Sequence, residues 1–107
     1  MAPRTTPLLQ NAVGKADGSG NATLTIGPQN PAESWDVVSI TVTCLLANVS
    51  ISQFGRIVDS TKNDPRNTVT TDTKYHVGPG TVLTVTWTGL PANNAVEVLV
   101  NGTRTIR

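Results

Sequence analysis

The chain has 107 residues, a formal net charge of +1 and 14% charged residues, against roughly 25% in ordinary globular proteins. That length supports one domain with one core, and abundant Thr, Val, Gly and Asn at low net charge does not describe a disordered chain. The 8 Lys and Arg residues are scattered, which argues against a surface that tracks nucleic-acid phosphates.

Residues 1–7 contain two prolines and read as an extended segment rather than a strand. The expected organisation is an N-terminal arm over residues 1–10 and a single β-sandwich over 11–107, with Leu8 to Val13 a candidate first strand across the join. Asp17-Gly18-Ser19-Gly20 signals a turn, and Ala22, Leu24 and Ile26 alternate with Thr23 and Thr25, which predicts a hairpin back onto that first strand. Gly27-Pro28 and Asn30-Pro31 then interrupt pairing.

Trp35 to Leu46 is the longest predicted strand. Val38, Ile40, Val42, Cys44 and Leu46 form its expected inward face, with Ser39, Thr41 and Thr43 opposite. Val49 and Ile51 open the next segment, which continues through a bend at Gly55, and 59–67 reads as a polar loop turning at Asp64-Pro65. Val69, Thr71, Thr73, Tyr75 and Val77 face away from Asp72, Lys74 and His76. Gly78-Pro79-Gly80 suits a type II turn.

Thr81 to Thr88 follows, with Leu83, Val85 and Trp87 on one face and threonines on the other. Val96, Val98 and Val100 make a final buried face, and Asn101-Gly102 predicts a tight turn into a last short strand. About seven to eight short strands without a helix predict an all-β, two-sheet antiparallel β-sandwich.

No reactive constellation emerges from the residues. Cys44 is the only cysteine, so no internal disulfide can form, and its place in an apolar alternation reads as a buried small hydrophobe. His76 is the only histidine, on a polar face, so metal sites built on several His or Cys ligands are not expected. Asp59, Asp64 and Asp72 lie in or near one loop without the dense spacing of a calcium loop. There is no phosphate-binding glycine loop and no nucleophile elbow. Trp35, at the start of a strand, is the one aromatic available as a sugar-stacking platform. The expectation is a non-enzyme with no cofactor and no metal. No run approaches the ~18 apolar residues of a membrane span, and Met1 to Pro7 lacks a secretion signal's apolar core, so neither membrane nor export is expected.

Two segments carry a family resemblance. One runs Gly27-Pro28-Gln29-Asn30-Pro31-Ala32-Glu33-Ser34-Trp35-Asp36-Val37, and the other runs from Gly78-Pro79-Gly80 to Trp87-Thr88-Gly89, with Val58-Asp59-Ser60-Thr61 between them. Together they resemble small β-sandwich virion structural proteins of tailed phages that infect actinobacteria. The resemblance implies a capsid decoration protein on the outer surface of the phage head, partnered by the major capsid protein and copies of itself. It would be made in the host cytoplasm and end on the virion. The expected partner contacts are Pro3, Arg4, Pro7, Leu8 and Leu9 of the arm, with Trp35, Arg56 and Arg66. The alternative is a tail-associated or host-surface module that binds glycan through Trp35 and the loops at 28–36 and 59–67.

Overall fold

The structure is a computed structural model and describes residues 4–28 and 30–107. Period-two alternation of β-branched and hydroxyl residues gives nine strands among them. These are β1 (Arg4–Lys15), β2 (Ala22–Ile26), β3 (Glu33–Thr43), β4 (Asn48–Gln53), β5 (Arg56–Thr61), β6 (Thr68–Thr71), β7 (Tyr75–Val77), β8 (Leu83–Thr88) and β9 (Ala95–Ile106). A five-stranded sheet has the order β1-β9-β3-β6, with β7 following β6 along the same edge of β3. A four-stranded sheet has the order β2-β8-β4-β5, and all pairings are antiparallel. The chain is therefore the expected two-sheet β-sandwich.

Between the sheets lies one continuous apolar cluster that includes Leu83, Val85 and Trp87 from β8 and Val96, Val98 and Val100 from β9. Each such side chain contributes about 1.5–3 kcal/mol when taken out of water. Cys44 is wholly buried in the same cluster, as a small hydrophobe, and burial pushes its thiol pKa up.

Four local expectations are corrected. First, Arg4–Gln10 is not a free arm: it is the first half of β1, paired with β9 from Arg4↔Ile106 onward, and Leu8 is 1% exposed in the core. Pro7 is compatible because of ladder parity. The Ala16 N–H donates to the Asn94 carbonyl at 2.8 Å, so even-numbered residues of β1 bond to β9 and odd-numbered N–H groups point away. Proline at an odd position removes no ladder bond.

Second, β1 and β2 do not form a hairpin. The Asp17 turn carries the chain from one sheet to the other, since β1 pairs β9 while β2 pairs β8. Alternation in both segments cannot distinguish these outcomes, because either way one face is buried.

Third, the alternation of β3 breaks at Val38. Val37 faces Gly102 and Ser39 faces Asn101, leaving Val38 as the extra residue of a bulge. Trp35 and Val37 point inward before it, Ile40 and Val42 after it, and Val38 is exposed. Leu46 is exposed as well. Leu45 and Leu46 both have positive φ, at a turn closed by the Ala47 N–H on the Cys44 carbonyl.

Fourth, Asn101-Gly102 is not a turn. β9 runs unbroken to Ile106, and the glycine serves a close approach: a Cβ there would lie 2.1 Å from the Asp36 carbonyl oxygen.

Candidate functional site

The most developed surface lies on the side of the sandwich where β5 closes one sheet and β6–β7 close the other. β4 and β5 form a hairpin in which Gln53 pairs Arg56 across Phe54 and Gly55. Both central residues have positive φ, 52° and 75°, which is the type I′ geometry that matches strand twist. Gly55 adopts it freely. Phe54 is a bulky residue held in the left-handed region and is 79% exposed. Backbone bonds from Leu45 to Arg66 and from Leu46 to Asp64 hold the equally unusual Leu45-Leu46 turn in place. Among the described residues no loop gives Phe54 comparable support.

β5 carries its own bulge. Ile51 faces Asp59 while Ser52 faces Ile57, so Val58 is the extra residue and Ile57 is turned out to solvent. Between β5 and the 72–75 segment runs an open groove of about 650 Å³ lined by Arg56, Ile57, Asp59, Asp72, Lys74 and Tyr75. The Thr73 hydroxyl donates to Asp59 Oδ2, and the Ser60 N–H donates to Asp59 Oδ1 at 2.8 Å. Partial burial alone would raise the Asp59 pKa, but the bonds from Thr73, Thr71 and Ser60 outweigh it and hold the carboxyl below its ordinary value. Asp59 is thus an ionised acceptor at neutral pH and not a proton donor.

The Tyr75 hydroxyl donates to Gln53 Oε1 at 2.6 Å, and Gln53 Nε2 donates to Thr81 Oγ1 at 3.2 Å. This relay joins Tyr75 on β7 of one sheet to Gln53 on β4 of the other and to Thr81 in the turn before β8. Arg56, Asp72 and Lys74 remain exposed around the half-buried Tyr75 ring. Chemically, the groove can hold a polar ligand or a partner loop by hydrogen bonds and charge.

The expected contact residues do not converge. Pro3 lies outside the described residues. Arg4, Pro7 and Leu9 are exposed on β1, whereas Leu8 points into the core. Trp35 is 2% exposed, and its indole N–H donates to Glu33 Oε2 at 2.5 Å, so it is no stacking platform. The Val38 bulge explains this: it shifts the alternation so that Trp35, paired with Val77 and Arg104, faces the core.

Arg56 lines the groove, but Arg66 lies at the far end of β5, gripped by Asp64. Of the two expected loops, residues 33–36 open β3 and 59–61 belong to β5, whereas Arg66 and Asn67 bond beside the other end of β3, at Leu45 and Cys44; residue 29 lies outside the described residues. His76 is exposed on the outer face, its Nδ1 2.8 Å from Asp36 Oδ1 on the neighbouring strand. Sequence reasoning put Asp72 and Lys74 on a polar face without joining them to a site, and it missed Phe54 and Ile57 as surface features. The Phe54-Gly55 dipeptide between alternating runs was the available signal.

No protein-family profile matches the chain, and no curated protein matches it. A solved structure described as the crystal structure of FlhE is similar in fold, with a TM-score of 0.51 and 15% identity, covering 90% of this chain and 96% of that chain.

Proposed function

We propose that this chain works by contact: it is a structural virion protein, a capsid decoration protein that binds the outer surface of a phage head and reinforces the shell. The observation that carries the contact reading is Phe54, an exposed aromatic at a hairpin tip in a backbone conformation that costs it energy. Strain of this kind persists at ligand clamps and docking points, and exposed aromatics are the usual anchors of interfaces. Ile57, on the same hairpin, is also exposed. The threonine-rich outer faces of the strands can bond to a partner with little desolvation cost. The assignment to a phage head comes from the sequence resemblance.

A reconstruction of intact particles tests it directly. Density for the sandwich on the head lattice, with the Phe54 end against the capsid, is the expected result. Heads lacking the protein should break at lower temperature. Finding the chain only on tails would overturn the proposal. Phe54→Ser, which leaves the core untouched, should lower occupancy on heads.

A second reading rests on the groove. A host-surface module would use Arg56, Asp72, Lys74 and the Tyr75 ring to hold a glycan. Binding of host cell-wall glycan that Arg56→Ala weakens would favour it, while no glycan binding by the folded wild type would dismiss it. Trp35→Ala would not test this reading, because it empties part of the core.

A further inference from the structure

β1 is a 12-residue edge strand, and its free edge is self-complementary. The Ala16–Asn94 bond and the position of Pro7 agree that the odd-numbered residues turn their backbone N–H and C=O groups away from β9. Leu9, Asn11, Val13 and Lys15 therefore offer an unpaired ladder to solvent. The same residues present their side chains on the outer face, where Leu9 and Val13 are 64% and 66% exposed. A long, exposed edge with apolar side chains is a template for another strand.

We infer that a second copy of this chain docks there, β1 against β1 in antiparallel register, with the two-fold axis at Asn11. Asn11 then faces Asn11 of the second copy. Leu9 of each copy faces Val13 of the other, giving two apolar cross-strand pairs. Shifting the register by two residues either way replaces those pairs with Leu9 or Val13 opposite Asn11, Lys15 or Pro7.

The chosen register also sets Lys15 opposite Pro7, so no like charges meet, and brings Arg4 of one copy alongside the Asp17 turn of the other. Asp17 is a fixed anion at that turn, accepting the Ser19 and Asn21 N–H groups at 2.8 and 3.0 Å. Opposite charges thus meet at both ends of the seam. Pro7 has no donor and limits the paired length. Two five-stranded sheets become one continuous sheet. A seam of one strand from each copy buries less than the roughly 1,200 Å² that stable complexes need, so the dimer forms weakly in dilute solution. The inference needs only the edge and does not depend on the capsid reading.

Sedimentation velocity over a series reaching the high-micromolar range should show a monomer–dimer equilibrium. Asn11→Pro removes an outward donor at the same parity as Pro7, so the backbone ladder to β9 survives, while the side-chain bond from Asn11 Nδ2 to Glu97 Oε2 at 3.1 Å is lost. It should weaken dimerisation at least about tenfold by deleting two symmetric hydrogen bonds. Native Cys44 is wholly buried, so an introduced cysteine reports position. With oxidised glutathione as the electron acceptor, Asn11→Cys should cross-link to itself, since directly paired Cα atoms lie about 5.5 Å apart. Leu9→Cys should cross-link only when mixed with Val13→Cys.

A wild type that stays monomeric throughout overturns the inference. So does an Asn11→Pro protein that dimerises like wild type, or Leu9→Cys alone reacting as fast as Asn11→Cys. Should Asn11→Pro fail to fold by circular dichroism, the cysteine comparison decides. Head occupancy is a separate readout: a dimeric protein absent from heads refutes the capsid reading and leaves this one intact.

Discussion

Trp87 in β8 donates its indole N–H to the backbone carbonyl of Thr43 in β3 at 2.7 Å, a buried hydrogen bond that joins the two sheets. Thr43 is also held through its hydroxyl, which accepts the Glu97 N–H at 3.0 Å. The large apolar ring and its one polar atom are both used. Trp87→Phe should therefore cost about 2–4 kcal/mol, part from the unfilled volume and part from an orphaned carbonyl. Urea unfolding checks this: the midpoint should fall with little change in slope.

The approach of β9 to the β3 bulge makes Gly102 a sharper test. Any side chain there meets backbone at 2.1 Å from Asp36 O and 3.0 Å from the Val37 Cα, and neither atom can rotate away. Gly102→Ala should destabilise by about 3 kcal/mol. Gly18→Ala is the control, because nothing lies within 4 Å of its added methyl, and it should change stability by less than about 1 kcal/mol. Thermal unfolding of the two proteins side by side separates crowding from glycine's general flexibility.

Alternation made the core of β8 and β9 legible, because Leu83, Val85, Trp87, Val96, Val98 and Val100 keep strict period two in unbroken pairing. It misled at Val38, since a bulge shifts parity without leaving a composition signal. On β1 it reached only Leu8 to Val13. Pro7 suggests an unpaired arm until one knows that β1 is an edge with odd residues facing out. Gly102 was read as turn chemistry when the sheet uses its missing Cβ. The groove was illegible for another reason. Asp59 on β5 and Thr73 beside β7 are brought together only by the packing of two sheet edges, which no local pattern encodes.

Acid stability should depend on Asp64. The Arg66 guanidinium donates to it from Nε at 3.0 Å and from Nη2 at 2.7 Å, and the Arg66 N–H adds a bond at 3.0 Å. These bonds hold the carboxyl down to about 2 from its ordinary 3.8. A depressed folded pKa means the stabilisation is fully present above the unfolded value and is lost as pH falls from about 4 to about 2. An NMR titration should place Asp64 in that range. Arg66→Ala should return it toward 3.8 and remove its part of the pH dependence, and added salt should weaken the effect because Arg66 is exposed.

Phe54 offers the most direct separation of stability from contact. At φ 52° it occupies the first central position of a type I′ turn, where asparagine is favoured and a bulky side chain costs roughly 1–2 kcal/mol. Phe54→Asn creates the favoured Asn-Gly pair and removes an aromatic that is 79% exposed, so no core contact is lost. The variant should be more stable than wild type by about 1 kcal/mol. If the ring anchors the protein to its partner, the same variant should bind heads at least about tenfold more weakly, because an interface anchor contributes about 2 kcal/mol or more. Raised stability with unchanged binding would show that Phe54 is strained without being used, and would move the contact surface to the groove or the β1 edge. Lowered stability would show that the turn geometry depends on the ring itself.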